Sequence, residues 1–260
     1  YLCLLNSDDY FAPARIAALL DRMKQSRSRF GFSAVMPVDD SGQQTLGSPL
    51  ARRIATAREE IAALPSVSFG FLYRQLAIST GNFLLPRSLY EEIGGFAPLK
   101  YCHDWDFALR AFLRTEPVFV GDYLYFYRIH AANSFSALSD VARQETDAVL
   151  GNYYSECLTG VPANDKVPTP RNWPGVFEHY IHFFELEVLW NKVCQQHGVA
   201  KRYAVSTSGG PRLSRYAPVD DNEPGASISA SVRQAIQLLR RIRAKGWRNV
   251  PAALHNVFRL

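Results

Sequence analysis

The chain opens on an apolar run that ends abruptly in Asn-Ser-Asp-Asp at residues 6–9. Such a run is typical of a strand buried on both faces, and it would deliver its polar residues to the end of a sheet, where open α/β sheets bind ligands. Asn6 and Asp8 share one face of this strand, whereas Asp9 joins them only if the chain turns there. Two adjacent carboxylates repel each other, and a divalent cation with oxygen ligands would relieve that repulsion. The alternative is that Asp8 or Asp9 opens the loop before a helix that begins at Pro13.

The composition is that of an ordinary globular protein, with 47% hydrophobic and 20% charged residues among 260. No apolar run reaches the roughly 18 residues needed to span a bilayer, and no signal-peptide pattern opens the chain, so we expect a cytoplasmic protein. The four cysteines are scattered without a Cys-x-x-Cys pair, which argues against a structural zinc site and a disulfide framework. Residues 1–200 carry a net charge of −3 and residues 201–260 a net charge of +8, which indicates an anionic partner for the tail.

Periodicity and turn residues predict an α/β chain. Amphipathic spacing predicts four longer helices, over residues 13–25, 50–64, 137–157 and 175–197. Apolar and alternating segments predict strands, over residues 32–38, 83–86 and 117–128. Ser88 is predicted to cap a short helix that Gly94 ends, and a further helix follows Asp104 and runs to Arg114. We therefore expect an α/β domain with helices around a sheet, followed by a mainly α-helical extension.

Three polar clusters each follow an apolar segment, so the fold can bring them to one edge of the sheet. They are Asn6/Asp8/Asp9, His103/Asp104/Asp106 and Arg128/His130. The first cluster offers oxygen ligands for Mg²⁺ or Mn²⁺, and the second offers carboxylates that can take a proton. The third offers an imidazole and a guanidinium suited to a metal or a phosphate. This combination fits a transfer reaction away from a diphosphate.

Four short motifs are specific in combination, although each is weak alone. They are Asn-Ser-Asp-Asp, Thr-Gly-Asn-(x)₃-Pro-Arg-(x)₆-Gly-Gly-Phe, His-Asp-Trp-Asp-Phe-(x)₂-Arg and Tyr-Arg-Ile-His-(x)₂-Asn-Ser. In this order they resemble the second half of a family 2 glycosyltransferase with the GT-A fold, over residues 1–135 of this chain. The resemblance implies a partial GT-A-like (Rossmann-like) mixed sheet flanked by helices. It also implies an inverting, metal-dependent transfer of a sugar from a nucleoside-diphosphate sugar to an acceptor hydroxyl.

By this resemblance, Asp8 and Asp9 hold Mg²⁺ or Mn²⁺ together with the donor diphosphate, and His130 approaches the same metal. Asn6 stands where the family often has Asp, so it would hydrogen-bond the donor without adding charge. Arg128 would help to neutralise the charge on the leaving group. A metal serves such chemistry as a Lewis acid that stabilises the departing diphosphate.

Asp104 would be the catalytic base that deprotonates the acceptor hydroxyl, a contribution of typically about 10²–10⁴-fold in rate. His103 replaces the Glu that is usual in the family. The acceptor side is expected to comprise Thr80, Gly81, Asn82, His103, Trp105 and Asp106, with the glycine in a turn that lets backbone approach a ligand. Structural roles are the alternatives, with Asp104 as a helix cap and His130 as a satisfied histidine at a strand end.

The chain starts without a methionine and directly inside the predicted strand, where native proteins seldom begin. In the family, the half of the domain that binds the nucleobase precedes the metal motif. We therefore expect the chain to be a fragment that lacks this half and binds a nucleotide sugar poorly. Inactivity of the chain alone is one of the expected outcomes.

Four segments are predicted along the chain. They are a partial GT-A domain over residues 1–135, a helical extension over 136–203, a flexible linker over 204–227 and basic amphipathic helices over 228–260. The last segment either lies on an anionic membrane surface or packs on the rest of the chain with its basic face in solvent. No RNA- or DNA-binding motif accompanies the positive charge, so no nucleic-acid partner is expected.

The leading hypothesis is a glycosyltransferase of surface-polysaccharide synthesis with a nucleotide-sugar donor and a glycan or lipid-linked acceptor. It would be cytoplasmic, with peripheral attachment at the inner membrane face as an option. Two other classes stay open. One is a catalytically inactive glycan-binding or scaffolding remnant of such an enzyme, and the other is a membrane-surface interaction module built around residues 228–260.

Overall fold

The computed structural model describes residues 1–47, 49–62, 66–72, 74–130, 139–173, 177, 181 and 186–199. The predicted linker at 204–227 and the predicted basic helices at 228–260 lie outside these residues. Most of the first half of the helix predicted over 175–197 also lies outside them.

A mixed sheet forms the centre of the described part of the chain. Its strands are β1 (Leu2–Cys3), β2 (Tyr10–Phe11), β3 (Gly31–Val38), β4 (Leu84–Leu85) and β5 (Val118–Arg128), in the order β1-β4-β3-β5-β2. β3 and β5 run parallel from Gly31 opposite Val118 to Val38 opposite Arg128, with shifts of register on both sides of Ala34, and the other pairs are antiparallel. The carboxyl ends of β3 and β5 therefore meet at the same edge of the sheet.

Helices flank this sheet and continue beyond it. They are α1 (Arg15–Ser26), α2 (Pro49–Ala62), α3 (Val67–Phe71), α4 (Arg87–Glu92), α5 (His103–Phe112), α6 (Ser139–Thr159) and α7 (Glu187–Gln196), with a 3₁₀ turn at Thr80–Asn82. The predicted fold class, a mixed sheet flanked by helices and followed by a helical extension, is confirmed. Within the described ranges, no helix is both long enough and apolar enough to cross a membrane.

The opening strand differs most from its prediction. β1 has two residues, pairs with β4 and lies at the edge of the sheet. Cys3 is exposed, and Tyr1 and Leu5 are 68% and 51% exposed. The prediction of a strand buried on both faces is therefore wrong, because an apolar run does not reveal how many neighbouring strands will cover it.

Two helix starts also differ from their predictions. Ser88 does not cap α4, because Pro86 occupies the N-cap position with φ −69° and ψ 145° and Ser88 lies in the first turn. Cys102 is the N-cap residue of α5, so Asp104 lies inside the helix rather than at its cap. Gly94 follows α4 with a φ of +78°, the left-handed conformation that ends a helix, as predicted.

An aromatic core holds α5 against the sheet and the helical extension. The ring of Phe112 meets Phe30 and Phe71 edge-on, with centroids 5.0 and 4.7 Å apart. The same buried cluster continues into α6 and α7, where Tyr154 and Trp190 pack with centroids 5.4 Å apart. The described part of the extension thus shares its core with the segment that carries the motifs.

Candidate functional site

Residues 6–9 form a turn that leads out of the edge strand. The backbone N–H of Asp9 donates to the carbonyl of Asn6 at 3.2 Å. Nδ2 of Asn6 donates to Oδ2 of Asp9 at 3.1 Å and to Oγ of Ser79 at 2.8 Å. The chain therefore turns at residues 6–9, as predicted for a site in which Asp9 lies beside Asn6. The side-chain amide of Asn6 also connects this turn to the turn at residues 79–82.

Asp9 is 8% exposed, and the fold uses both of its carboxylate oxygens. The hydroxyl of Tyr125 donates to Oδ2 at 2.5 Å, and the backbone N–H of Arg128 donates to Oδ1 at 2.9 Å. Burial raises the pKa of Asp9, while the hydrogen bonds from Tyr125 and from the N–H of Arg128 oppose this rise. Asp9 thus joins the opening turn to β5, which is a structural role.

Asp8 forms a pair with His130 just beyond the end of β5. Oδ2 of Asp8 lies 2.8 Å from Nε2 of His130, and the two side chains are 37% and 26% exposed. The contact joins residues at opposite ends of the motif-bearing segment. A carboxylate and an imidazole that touch each other and reach solvent form a pair able to bind a divalent cation.

Arg128 supports the Asp8/His130 pair by binding the backbone carbonyl of Asp8. Its Nε donates to the carbonyl of Asp8 at 2.9 Å, and its Nη1 donates to the carbonyls of Asp39 and Asp40 at 2.8 and 2.6 Å. The guanidinium therefore holds the loop after β3 against the opening turn, and it brings a positive charge next to the pair.

The predicted metal site fits this geometry only in part. Among the residues that the structure describes, no group of three or more His, Cys, Asp or Glu side chains is arranged to hold a metal ion. Asp8 can supply one carboxylate, which suits Mg²⁺ because this ion is commonly bound by one or two carboxylates plus waters and substrate phosphates. The imidazole of His130 is a ligand that softer divalent ions prefer, and it can join Asp8 on a metal only if its own contact with Oδ2 of Asp8 opens. Asp9 would first have to break its bonds to Tyr125 and to the N–H of Arg128, so the fit rests on Asp8 and His130.

The turn at residues 79–82 packs closely against Tyr125. Oγ of Ser79 accepts a hydrogen bond from the N–H of Gly81 at 3.1 Å and lies 3.3 Å from the hydroxyl of Tyr125. A Cβ added to Gly81 would lie 2.3 Å from that hydroxyl. The glycine therefore permits the close approach of a protein side chain, where the sequence had suggested a ligand.

Asn82 serves the fold from within the core. It is fully buried, its Nδ2 donates to the carbonyls of Ser33 and Ala77 at 2.9 and 3.0 Å, and its Oδ1 accepts from the N–H of Ser33 at 3.1 Å. Although predicted on the acceptor side, this amide has its polar atoms occupied by β3 and by the loop before the turn, so it does not contribute to a surface site.

The first residues of α5 carry the candidate base. Nε2 of His103 lies 3.3 Å from Oγ1 of Thr80, which links α5 to the turn at residues 79–82. Asp104 is half-buried, and its Oδ1 accepts from the N–H of Trp105 at 2.7 Å. Burial raises the pKa of Asp104, while the positive charge of His103 and the N–H of Trp105 oppose this rise. A raised pKa makes a carboxylate a better proton acceptor.

Trp105 and Asp106, also predicted on the acceptor side, anchor α5 in the core. Trp105 is 4% exposed and donates from Nε1 to the carbonyl of Phe71 at 2.6 Å. Asp106 is 3% exposed and forms an ion pair with Arg110 at 2.6 Å. Their side chains therefore fix the helix that carries Asp104, and their burial keeps them from a surface site.

The turn at residues 79–82 links the opening turn to the start of α5, and Tyr127 in β5 senses the charges of both segments. Burial raises the pKa of Tyr127 to about 12, and the negative charges of Asp9, Asp8 and Asp104 add to this rise. The amide of Asn6 donates to Oγ of Ser79 at 2.8 Å, and Oγ1 of Thr80, in the same turn as Ser79, lies 3.3 Å from Nε2 of His103. The structure thus brings Asp8 and Asp104 to a common region of the molecule.

Three residues of this region were not predicted from the sequence, namely Ser79, Tyr125 and Tyr127. The two tyrosines alternate along β5 directly before Arg128, and residues two apart in a strand share a face. This spacing was a usable signal for both of them. Ser79 had no such signal, because its partners Asn6 and Tyr125 lie far away in the chain.

Arg15 is a further residue beneath the site that the sequence did not indicate. It is fully buried, and its guanidinium lies 4.6 Å from the ring centroid of Phe11 and 5.5 Å from that of Tyr125. It donates to Oγ of Ser33 at 2.6 Å and to the carbonyl of Asn82 at 2.8 Å. Burial lowers the pKa of Arg15 to about 10. Its cation therefore supports the face of the tyrosine that holds the opening turn.

Comparisons with known proteins add little to this picture. No protein-family model matches the chain, and no curated protein sequence is significantly similar to it. Among solved structures, the chain is similar to S. aureus TarS 1–349, which was solved in complex with UDP-GlcNAc. That likeness has a TM-score of 0.35 and 13% identity, and it covers 79% of this chain and 70% of the TarS chain. At this TM-score the likeness supports no statement about the function of this chain, so the chemistry of the site is inferred from the geometry described above.

Proposed function

We propose that the chain carries the metal-motif and acceptor side of an inverting glycosyltransferase site. One observation carries this proposal. The turn that presents Asp8, which together with His130 suits a metal-bound diphosphate, is linked through the turn at residues 79–82 to the start of α5. That helix start carries Asp104, which suits a base. A leaving-group side and an acceptor-activating side that converge from distant segments are what group transfer between two substrates requires.

The leaving-group side is formed by Asp8, His130 and Arg128. Asp8 and His130 would hold Mg²⁺ or Mn²⁺, and the bound ion would supply Lewis-acid stabilisation of the departing nucleoside diphosphate. Arg128 adds a fixed positive charge beside them, because its guanidinium is anchored on the carbonyl of Asp8. Asn6, whose amide is bonded to Asp9 and Ser79, orients the turn that presents Asp8.

The acceptor side is formed by Asp104 with His103 beside it. Asp104 takes the proton of the acceptor hydroxyl as that oxygen attacks the anomeric carbon opposite the leaving diphosphate, which inverts the configuration there. Partial burial supports this role, because it raises the pKa of the carboxyl and so favours proton uptake. The contact of His103 with Thr80 keeps the start of α5 against the neighbouring turn.

The substrates of this proposal come from the motif resemblance. The donor would be a nucleoside-diphosphate sugar, and the acceptor a glycan or lipid-linked hydroxyl in surface-polysaccharide synthesis. Attachment to an anionic membrane surface through residues 228–260 belongs to the same proposal, since a lipid-linked acceptor lies at that surface.

The substitution Asp104→Asn tests the proposal. The release of nucleoside diphosphate from millimolar UDP-glucose, UDP-GlcNAc and GDP-mannose would be measured with Mn²⁺, with water serving as the simplest acceptor. D104N should lower the turnover by about 10²–10⁴-fold while the chain stays folded. Asp122→Asn removes the same charge from an exposed position in β5 and should leave turnover unchanged. Equal turnover by the wild-type chain and D104N would refute a base at this position.

A catalytically inactive glycan-binding remnant is the second candidate function. The observation that favours it is the structural use of Asp9, which leaves Asp8 as the one carboxylate of the predicted metal pair that reaches solvent. In that case the wild-type chain would bind oligosaccharides without turnover, and D104N would bind them equally well. Oligosaccharide binding measured by calorimetry on both proteins distinguishes the two functions.

A further inference from the structure

Glu145 in α6 reaches across to the loop that precedes α5. Its Oε1 accepts a hydrogen bond from the backbone N–H of Lys100 at 2.7 Å. Its Oε2 accepts from the N–H groups of Tyr101 and Cys102, each at 2.8 Å. One carboxylate thus gathers three successive backbone N–H groups.

Successive N–H groups that converge on one point form a concave, positively polarised site for an anion. Here the anion is supplied by the chain itself. Cys102 is also the N-cap residue of α5, so the carboxylate of Glu145 lies at the positive end of that helix dipole. The three N–H groups hold the pKa of Glu145 below its ordinary value, which outweighs the effect of its partial burial, and the positive charge of His103 acts in the same direction. Glu145 is therefore a charged partner that this loop stabilises.

The loop leads directly into the candidate base. Cys102 is followed by His103 and Asp104, so the position of the loop sets where α5 begins. Farther along, α5 is anchored from the motif-bearing segment by the bond of Trp105 to the carbonyl of Phe71. Glu145 anchors the beginning of the helix from the helical extension, which the motif resemblance does not cover.

We infer that Glu145 is a positioning residue that makes the helical extension part of the reaction site. By holding the N–H groups of residues 100–102, it fixes the start of α5 so that Asp104 meets the acceptor hydroxyl. The inference rests on the proposed role of Asp104 as the base. It assigns a function in turnover to α6, which the proposed function leaves without one.

The test compares Glu145→Ala with Asp147→Ala in the complete chain. Asp147 lies two residues further along α6 and is exposed, and its replacement by Ala removes the same charge as E145A. The kcat and KM would be measured with Mn²⁺ on the one of the three nucleotide sugars that the wild-type chain turns over fastest. Hydrogen exchange of the amides of residues 100–102 would be followed on the same proteins, and thermal unfolding would establish that each is folded.

E145A should lower kcat at least tenfold with little change in the KM for the donor, and it should speed up amide exchange at residues 100–102. Added acetate should restore part of the lost kcat, because a free carboxylate can occupy the N–H groups that Glu145 leaves. D147A should match the wild-type chain in every measurement. A merely structural role of Glu145 would lower the unfolding temperature without a response of kcat to acetate.

The outcomes separate this inference from the proposed function. If D104N abolishes turnover and E145A leaves kcat unchanged, Glu145 is not a positioning residue although Asp104 is still the base. If E145A lowers kcat but acetate at any concentration fails to raise it, the positioning role is also refuted. If D104N turns over like the wild-type chain, the proposed function fails, and the inference fails with it.

Discussion

The substitution Gly81→Ala probes the tightest contact at the centre of the candidate site. The new Cβ would lie 2.3 Å from the hydroxyl of Tyr125, 3.1 Å from its Cζ and 3.2 Å from the backbone nitrogen of Asn6. An ordinary contact needs about 3.5 Å, so the tyrosine or the turn has to move by about 1 Å. Tyr125 is fully buried, and Arg15 lies over its ring, so this movement breaks other contacts.

The size of the effect follows from two costs. Overpacking of a well-packed core typically costs about 1–3 kcal/mol. Displacing the hydroxyl of Tyr125 also weakens its bond to the carboxylate of Asp9, and bonds to charged groups contribute about 1.5–3 kcal/mol. We expect G81A to lower the free energy of unfolding by about 3–5 kcal/mol.

Urea unfolding measures this effect, with Gly151→Ala in α6 as the matched control. A Cβ at Gly151 would meet Cδ1 of Leu189 at an ordinary 3.8 Å, so G151A should stabilise the chain by about 0.5–1 kcal/mol through helix propensity. Tyr125→Phe removes the oxygen with which the new Cβ clashes. The double variant G81A/Y125F should therefore lose less free energy of unfolding than the sum of the two single variants, by at least about 1 kcal/mol. Additive losses, or a G81A that behaves like G151A, would refute this reasoning.

Two further predictions concern buried polar groups. Asn82→Ala should lower the free energy of unfolding by about 2–4 kcal/mol, because it leaves the N–H of Ser33 and the carbonyls of Ser33 and Ala77 without their partner. In the same urea experiment, Asn152→Ala at an exposed position should change the free energy of unfolding by less than about 0.5 kcal/mol. The raised pKa of Asp9 means that the folded chain binds a proton at this carboxylate more tightly than the unfolded chain does. The free energy of unfolding of the wild type, relative to that of Asp9→Asn, should therefore increase as the pH falls from neutral towards 3.8, the ordinary pKa of Asp. A relative stability that decreases over that range would contradict the raised pKa.

Helices and central strands could be predicted from the sequence because their signals are local. The predicted helix over 13–25 and the predicted strand over 32–38 correspond to α1 and β3 within two residues at each end, since periodicity of apolar residues reports burial of one face or of both. The burial of the opening run could not be predicted, because it depends on which strands lie beside β1. The apolar pattern is the same for an edge strand and a central one.

The candidate site could be predicted at the level of which segments carry polar groups, but not at the level of their roles. Asp8 and Asp9 are adjacent and chemically identical, yet one pairs with His130 near solvent and the other is buried under Tyr125. The donors that decide this difference come from β5, more than a hundred positions later in the chain. The anchoring of the α5 start by Glu145 is equally non-local, which explains why no motif indicated it.

A Mn²⁺ titration monitored by NMR tests the central claim that the metal side, Asp8 and His130, and the base side, Asp104, form a single site. The unpaired electrons of Mn²⁺ broaden the signals of nearby groups most strongly. The claim predicts that Mn²⁺ selectively broadens the ring signals of Tyr127 and His103 while the indole signal of Trp190 in α7 stays sharp. It also predicts that Asp8→Ala and His130→Ala abolish this broadening. Broadening that spares His103, or that persists in both variants, would contradict the claim.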